Sequence, residues 1–438
     1  MKRARVARQA RPAISNLSHS HAEDSWIRKL GPGLITGAAD DDPSGIATYS
    51  QAGARFGFGL LWTILLTYPL MVSIQLISAM IGRVSGHGLA SNIRRLYPRW
   101  LLYSIVGLLI VANTINIAAD LAAMGDAVRL VVGGNAHAYL IGIGLLSAAL
   151  QVFIPYSRYV GILKWLTMAL FAYVATVFAV RVPWTEVLHR TVVPALSLEP
   201  DYVTTVVAIF GTTISPYLFF WQASQEVEEE IADPDALPLK KAPRAQIKTV
   251  LQRINIDTYV GMAVSNLVAF FIVVTAAVTL YAHGITDVRS SAQAASALKP
   301  IAGQFAFVLF TLGIVGTGLL AIPVLAGSAA YAIAGALNWN SSLEHAPSAA
   351  KGFYAVIAFS MLAGVAIGCA PVDPMKALYY SAVINGVISV PIMAVMMSMS
   401  SRREIMGHLV ITKKLKFLGW LCTATMAAAA LAMLIYRQ

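Results

Sequence analysis

Apolar residues run along most of the chain in blocks of twenty or more, separated by short polar segments. A helix needs about 20 such residues to cross a bilayer. Eleven blocks qualify: residues 30–54, 58–83, 101–128, 136–155, 158–180, 202–226, 254–282, 303–336, 352–371, 376–399 and 417–436. Stretches such as Gly59 to Met80 lack the strict polar–apolar alternation of a transmembrane β-barrel strand. The pattern predicts an all-α polytopic membrane protein with about eleven transmembrane helices. Residues 1–29 are polar and basic with no apolar core, so they read as a cytosolic tail rather than a signal peptide.

Two blocks are interrupted. The first contains Gly37-Ala-Ala-Asp-Asp-Asp-Pro-Ser-Gly45, and the sixth contains Gly211-Thr-Thr-Ile-Ser-Pro-Tyr217. Pro43 and Pro216 each remove a backbone donor and break a helix. Non-helical backbone at membrane depth is tolerated only where it lines a cavity or is buried in protein. The breaks occupy corresponding positions if residues 30–181 (spans 1–5) and 202–399 (spans 6–10) are two repeats. Five spans per repeat invert the second against the first, leaving 417–436 as an accessory span. Paired broken helices of this kind point to the central site of a transporter.

Composition supports the membrane class. Of 438 residues, 58% are hydrophobic and only 12% charged, with a mean hydropathy of +0.68. One soluble core cannot hide that much apolar surface, and a disordered chain would be far more polar. The net charge of +11 does not mark a nucleic-acid-binding protein, because the basic residues sit in short loops. Counted with the N-terminus inside, twenty-three Lys and Arg lie on that side and six on the other. This predicts a cytosolic N-terminus, an external C-terminus and residence in a plasma membrane, the inner membrane of a bacterium. The heaviest inner loops are 6–7 (Lys240, Lys241, Arg244, Lys248, Arg253) and 10–11 (Arg402, Arg403, Lys413, Lys414, Lys416). Cys369 and Cys422 offer neither a disulfide framework nor a metal-binding spacing. No cofactor and no obligatory protein partner is expected; the lipid bilayer is. The Gly-x-Gly-Asp signature of an intramembrane aspartyl protease is missing, so the chain does not read as an enzyme.

The candidate chemistry lies at the breaks. Each ionised Asp near the bilayer centre costs about 2.5–3.5 kcal/mol on insertion scales. Asp40, Asp41 and Asp42 therefore need a cation, water or helix ends to compensate them, unless they only hydrate a vestibule. Asp42 is the leading candidate because it directly precedes Pro43, where it can join freed carbonyls. Such oxygen donors suit hard cations such as Mg²⁺, Ca²⁺ and Mn²⁺. Thr212 and Ser215 flank the second break and either complete that oxygen shell or only shape the kink. Asp120, mid-span, serves an ion or proton pathway or a helix-packing hydrogen bond. Gln222 and Asn385 are polar residues in apolar spans, candidates for the same pathway or for interhelical bonding. Glu226 and Glu229, at the inner end of span six, form an exit vestibule for cations or a solvated acidic face.

At these positions the sequence resembles the NRAMP family of divalent-metal transporters. The likeness runs from Gly31-Pro-Gly-Leu-Ile through Asp42-Pro43, Phe56-Gly57 and Leu60-Leu-Trp62 to Asp120-Leu-Ala and Gly211-Thr…Pro216, covering about 370 residues. The resemblance implies a LeuT-type inverted-repeat fold with a metal site between spans one and six. The departures are informative. The family's Asp-Pro-Gly-Asn reads Asp42-Pro43-Ser44-Gly45 here, so Gly45 stands where the family has an asparagine ligand. Its Met-Pro-His reads Ser215-Pro216-Tyr217, replacing a thioether and a histidine tied to proton transport. A second family histidine falls on Gln222. Its Asp-Leu-Ala-Glu reads Asp120-Leu-Ala-Ala123. A thioether favours softer transition metals, so its loss resembles the NRAMP-related magnesium transporters. The resemblance implies import of hydrated Mg²⁺, with Mn²⁺ also possible as cargo, without strict proton coupling. The alternatives are a proton-coupled Mn²⁺/Fe²⁺ transporter and a LeuT-fold transporter of a cationic organic solute.

Overall fold

A computed structural model of the chain describes residues 32–154, 167–232, 236–343 and 347–436. The tail 1–29 and the first part of the block at 158–180 lie outside the described residues. No strand occurs among those described. Fifteen helices of eight or more residues form the chain there: α1 (Pro32–Asp40), α2 (Pro43–Phe56), α3 (Leu61–Ser85), α4 (Leu89–Leu96), α5 (Arg99–Val132), α6 (Ala136–Phe153), α7 (Phe171–Ala179), α8 (Trp184–Val192), α9 (Pro200–Thr213), α10 (Pro216–Ala232), α11 (Arg244–Thr279), α12 (Ala306–Leu337), α13 (Lys351–Gly368), α14 (Pro374–Ser400) and α15 (Lys413–Tyr436).

Nine stretches among the described residues are long and apolar enough to cross a membrane, with α9 and α10 counted together. The first block is the pair α1–α2, each too short to cross alone. Both breaks fall where proline forbids helix: α2 begins at Pro43 and α10 at Pro216. Two boundaries differ from the sequence reading. Helix α11 starts at Arg244, ten residues before the expected 254, because Ile247, Val250, Leu251 and Ile254 keep one apolar side turned inward. Helix α10 runs on through the acidic stretch to Ala232, held there by ion pairs described below. Two of the segments between the expected spans contain the short helices α4 and α8.

The broken helices lie at the centre, walled by long ones. Helix α9 packs along α14, α10 against α3 and α12, and α5 against α12, α13 and α14. Both α1 and α2 lie along α11, and their contacts climb that helix in order. The Gly33 amide donates to Asp257 Oδ2 at 2.7 Å. Gly37 meets the Gly261 backbone so closely that a Cβ would stand 2.4 Å from its carbonyl. The Ser265 hydroxyl reaches Asp40 and Asp41, and Gly53 rests on the Val273 carbonyl. The large buried side chains of this centre, Tyr49, Tyr217, Phe219 and Trp221, come from α2 and α10.

Candidate functional site

The gap between α1 and α2 is two residues long, and Asp42 fills it as the N-cap of α2. N-terminal amides of a helix have no intrahelical acceptor, and a carboxylate at the cap satisfies them. Asp42 Oδ1 accepts from the Gly45 amide at 2.8 Å and the Ser44 hydroxyl at 2.6 Å. Its Oδ2 accepts from Asn116 Nδ2 of α5 at 3.0 Å and the Tyr217 hydroxyl of α10 at 3.3 Å. A carboxylate offers about four acceptor positions, so Asp42, only 1% exposed, is saturated by donors from three helices.

The second break faces the first. Ser44 Oγ lies 3.3 Å from Thr212 Oγ1, and Tyr49 shares a 2.8 Å hydrogen bond with Thr213. Tyr217 splits its hydroxyl between Asp42 and the Ala39 carbonyl at the end of α1, 3.1 Å away. Gly45 is closely surrounded: a Cβ there would meet Asp40 O and Thr212 Oγ1, each at 3.4 Å, and the Tyr49 ring at 3.3 Å. Its surroundings include a carbonyl at a helix C-terminus, which carries partial negative charge, and a hydroxyl. Asp42, Gly45, Thr212 and Tyr217 are thus gathered around one point between the two breaks. Among the described residues, no sulfur or imidazole hydrogen-bonds to Asp42.

The other candidates divide. Ser215 is buried beside them, but its hydroxyl turns back on its own helix, to Gly211 O at 2.7 Å and Thr212 O at 2.8 Å. Asp41 points with Asp40 to the other side of span one, where Ser265 Oγ is 3.1 Å from Asp41 and 2.6 Å from Asp40. Asp120 is fully buried on α5, one turn beyond Asn116, and neither of its oxygens has a hydrogen-bond partner among the described residues. Asn385 on α14 is buried, and neither of its amide atoms has a partner among those residues. Gln222 donates to Thr258 at 3.1 Å, joining α10 to α11 away from Asp42.

Glu226 departs from the sequence reading, lying neither in an open vestibule nor on a solvated face, whereas the Glu229 side chain stays 40% exposed. Glu226 is fully buried and pairs with Arg253 at 2.8 Å, and Arg253 also pairs with Glu229. Arg83 of α3 donates to the Glu226 carbonyl at 3.2 Å and faces Glu230 at 3.8 Å. A carboxylate neutralised in this way holds α10 to α11 and has little charge left to draw a passing cation.

The sequence reading passed over Asn116, Ser44 and Ser265. Asn116 was within reach: Asn113, Asn116 and Asp120 recur at three- and four-residue spacing in an apolar span, and so share one face of α5. A lone serine such as Ser265 gives no such sign.

Comparison with known proteins follows this geometry. The family model described as "Natural resistance-associated macrophage protein-like" matches residues 33–436. The chain belongs to the Nramp family. Among Nramp relatives, the divalent metal cation transporter MntH of Acidiphilium cryptum is 26% identical over 422 residues, covering 92% of this chain and 91% of that protein. MntH of Chromohalobacter salexigens is 26% identical over 436 residues, 95% of this chain and 93% of its own. The solved Eremococcus coleocola manganese transporter superposes with a TM-score of 0.73 at 16% identity, covering 96% of this chain and 88% of that one. Mhp1, a nucleobase-cation-symport-1 family transporter, superposes in a closed conformation at 0.56 and 11% identity, covering 93% and 91%. These likenesses show the fold: the LeuT-type arrangement with its first and sixth spans broken.

Proposed function

We propose that the chain carries a divalent metal cation across the membrane by alternating access. In this reading Asp42 holds the ion, and hydrated Mg²⁺ is the cargo, imported without strict proton coupling. The observation that carries it is Asp42 itself: a buried carboxylate capping one broken helix, opposite the hydroxyls of another, and hydrogen-bonded by hydroxyl and amide groups. Hard donors without a thioether leave nothing to favour a soft metal over Mg²⁺. The names of the relatives, divalent metal cation and manganese transporters, support the substrate class.

Mg²⁺ gives up its water reluctantly and keeps several ligand waters in most sites. The space at Gly45 is tight and must widen before a hydrated ion's waters can donate to Asp42, Asp40 O and Thr212 Oγ1. Four protein donors already occupy Asp42, so the ion's waters must replace some of them. The Tyr217 bond is the longest of the four and the first to yield. Membrane potential contributes about 4.6 kcal/mol per 100 mV for a divalent ion entering a negative interior, enough to drive uptake without protons. We further assign 30–181 and 202–399 to the two inverted repeats, the N-terminus to the cytosol and the protein to a bacterial plasma membrane.

A second reading, proton-coupled Mn²⁺ or Fe²⁺ transport, is favoured by Asp120, whose buried and unpartnered carboxylate is suited to hold a proton. Uptake by proteoliposomes offered Mg²⁺ and Mn²⁺, separately and together with internal pH recorded, decides between them. Mg²⁺ uptake with mutual competition and a constant lumenal pH is expected. Mn²⁺ uptake that ignores excess Mg²⁺ and acidifies the lumen establishes the second reading instead.

A further inference from the structure

Two segments rich in Lys and Arg meet at one end of the bundle. Segment 236–253 carries Lys240, Lys241, Arg244, Lys248 and Arg253 and no carboxylate. Segment 402–416 carries Arg402, Arg403, Lys413, Lys414 and Lys416 against one carboxylate, Glu404. Lys240 joins them, donating to the Glu404 carbonyl at 3.4 Å and lying alongside Gly407. Some of these cations are committed: Arg253 to Glu226 and Glu229, and Arg402 to the Tyr97 ring at 4.6 Å. Arg244 and Lys248 are exposed, and neither pairs with a carboxylate among the described residues.

Between the loops runs a groove of about 510 Å³. Its rim is Arg244, Lys248 and His408, and its floor is Ile247, Leu251 and Leu409. The α11 residues recur every three to four positions and so form one stripe along the helix. Past Leu251 the stripe reaches the amides of Gln252 and Asn255, then the exposed apolar side chains Ile256, Tyr259 and Val260. Positive charge at the mouth, amides below and apolar surface beyond follow the order of groups in a phospholipid: phosphate, ester carbonyls, acyl chains.

We infer that this groove binds one anionic glycerophospholipid, with its phosphate against Arg244, Lys248 and His408 and its chains along α11. Basic pockets between helices at a membrane surface recognise such headgroups. A free phosphate would use the rim and leave the apolar floor unfilled. The site is remote from Asp42, and the inference does not depend on which ion is carried.

Native mass spectrometry of the full chain in detergent tests it, with added phosphatidylglycerol and phosphatidylcholine of identical acyl chains. Phosphatidylglycerol is expected to bind first, as a single saturable adduct that equimolar inorganic phosphate does not displace. Two basic residues near a headgroup are worth about thirtyfold in affinity. R244Q/K248Q is therefore expected to lose about that factor for phosphatidylglycerol and nothing for phosphatidylcholine. R244K/K248R keeps the charge and retains binding, which separates charge from any folding defect. K413Q/K414Q, outside the groove, is expected to stay within threefold of the parent. Equal binding of the two lipids, displacement by phosphate, or an equal loss in K413Q/K414Q each overturns the inference.

Discussion

Asp42→Asn isolates the charge of the proposed site from its shape. The new amide keeps an oxygen where Gly45 and Ser44 donate. Its NH₂ group meets Asn116 and Tyr217, which now donate to Asp42. Both can adapt. Asn116 Oδ1 has no partner and becomes the acceptor if that amide turns over, and the Tyr217 hydroxyl keeps its bond to Ala39 O. The substitution should therefore leave the fold intact. What it removes is attraction. A cation held through one water sits about 5 Å from the carboxylate, given Mg–O and hydrogen-bond lengths. Two charges against one at that distance are worth about 1.7 kcal/mol in a water-like medium and about 6.6 kcal/mol at an effective dielectric of 20. Mg²⁺ uptake should fall by at least about twentyfold, and by several orders of magnitude if the site is dry. Initial rates in proteoliposomes under an imposed negative potential, with thermal unfolding in detergent as the control for folding, give the answer. A folded Asp42→Asn protein that imports Mg²⁺ within twofold of the parent would refute Asp42 as the binding residue.

Three further outcomes are expected. Tyr217→His puts an imidazole against Asp42. As the pH falls the ring gains its proton, pairs with the carboxylate and competes with the cation. Uptake by the variant should decline on the acid side while the parent stays level, read as initial rates between pH 5 and 8. Arg253→Gln leaves Glu226 buried without its partner, a loss of about 3–5 kcal/mol. The melting temperature should drop, and adding Glu226→Gln should restore most of it. Gly211→Ala places a Cβ 2.0 Å from Ala382 O and 2.4 Å from the Gly386 amide, prising α9 from α14 at a cost of about 1–3 kcal/mol or more. Gly107→Ala on α5 meets nothing within 4 Å and should be neutral or slightly stabilising, so the two melting curves check the packing directly.

What could be read in advance was whatever the chain writes locally. Apolar length marks a span, and proline marks where one stops, so the breaks at Pro43 and Pro216 and the place of Asp42 beside the first were visible without coordinates. Partners that meet from distant parts of the chain were not. Glu226 and Arg253 look like a solvated acid and a loop base until α10 and α11 lie side by side. The Tyr217 hydroxyl reaches Asp42 across 175 positions, and no spacing rule reports that. The turn of Asp40 and Asp41 toward Ser265, away from Asp42, depends on the rotation of α1 about its own axis. Hydrophobic pattern sets such a rotation poorly in a helix buried on every side.

The way α1 and α2 lie on α11 has one more consequence. Asp257, Gly261, Ser265 and Val273 are separated by four, four and eight residues on a rod of 36. Those intervals act as graduations on a ruler, each matched to one position of the broken span. A one-residue deletion in α11 between Gly261 and Ser265 would turn the last two marks by about 100° against the first two and shift them by about 1.5 Å. Every composition-based measure of the chain would be almost unchanged, yet the two halves of the broken span could no longer both meet their marks. Length between these marks should therefore be guarded more strictly than the identity of most residues that lie between them.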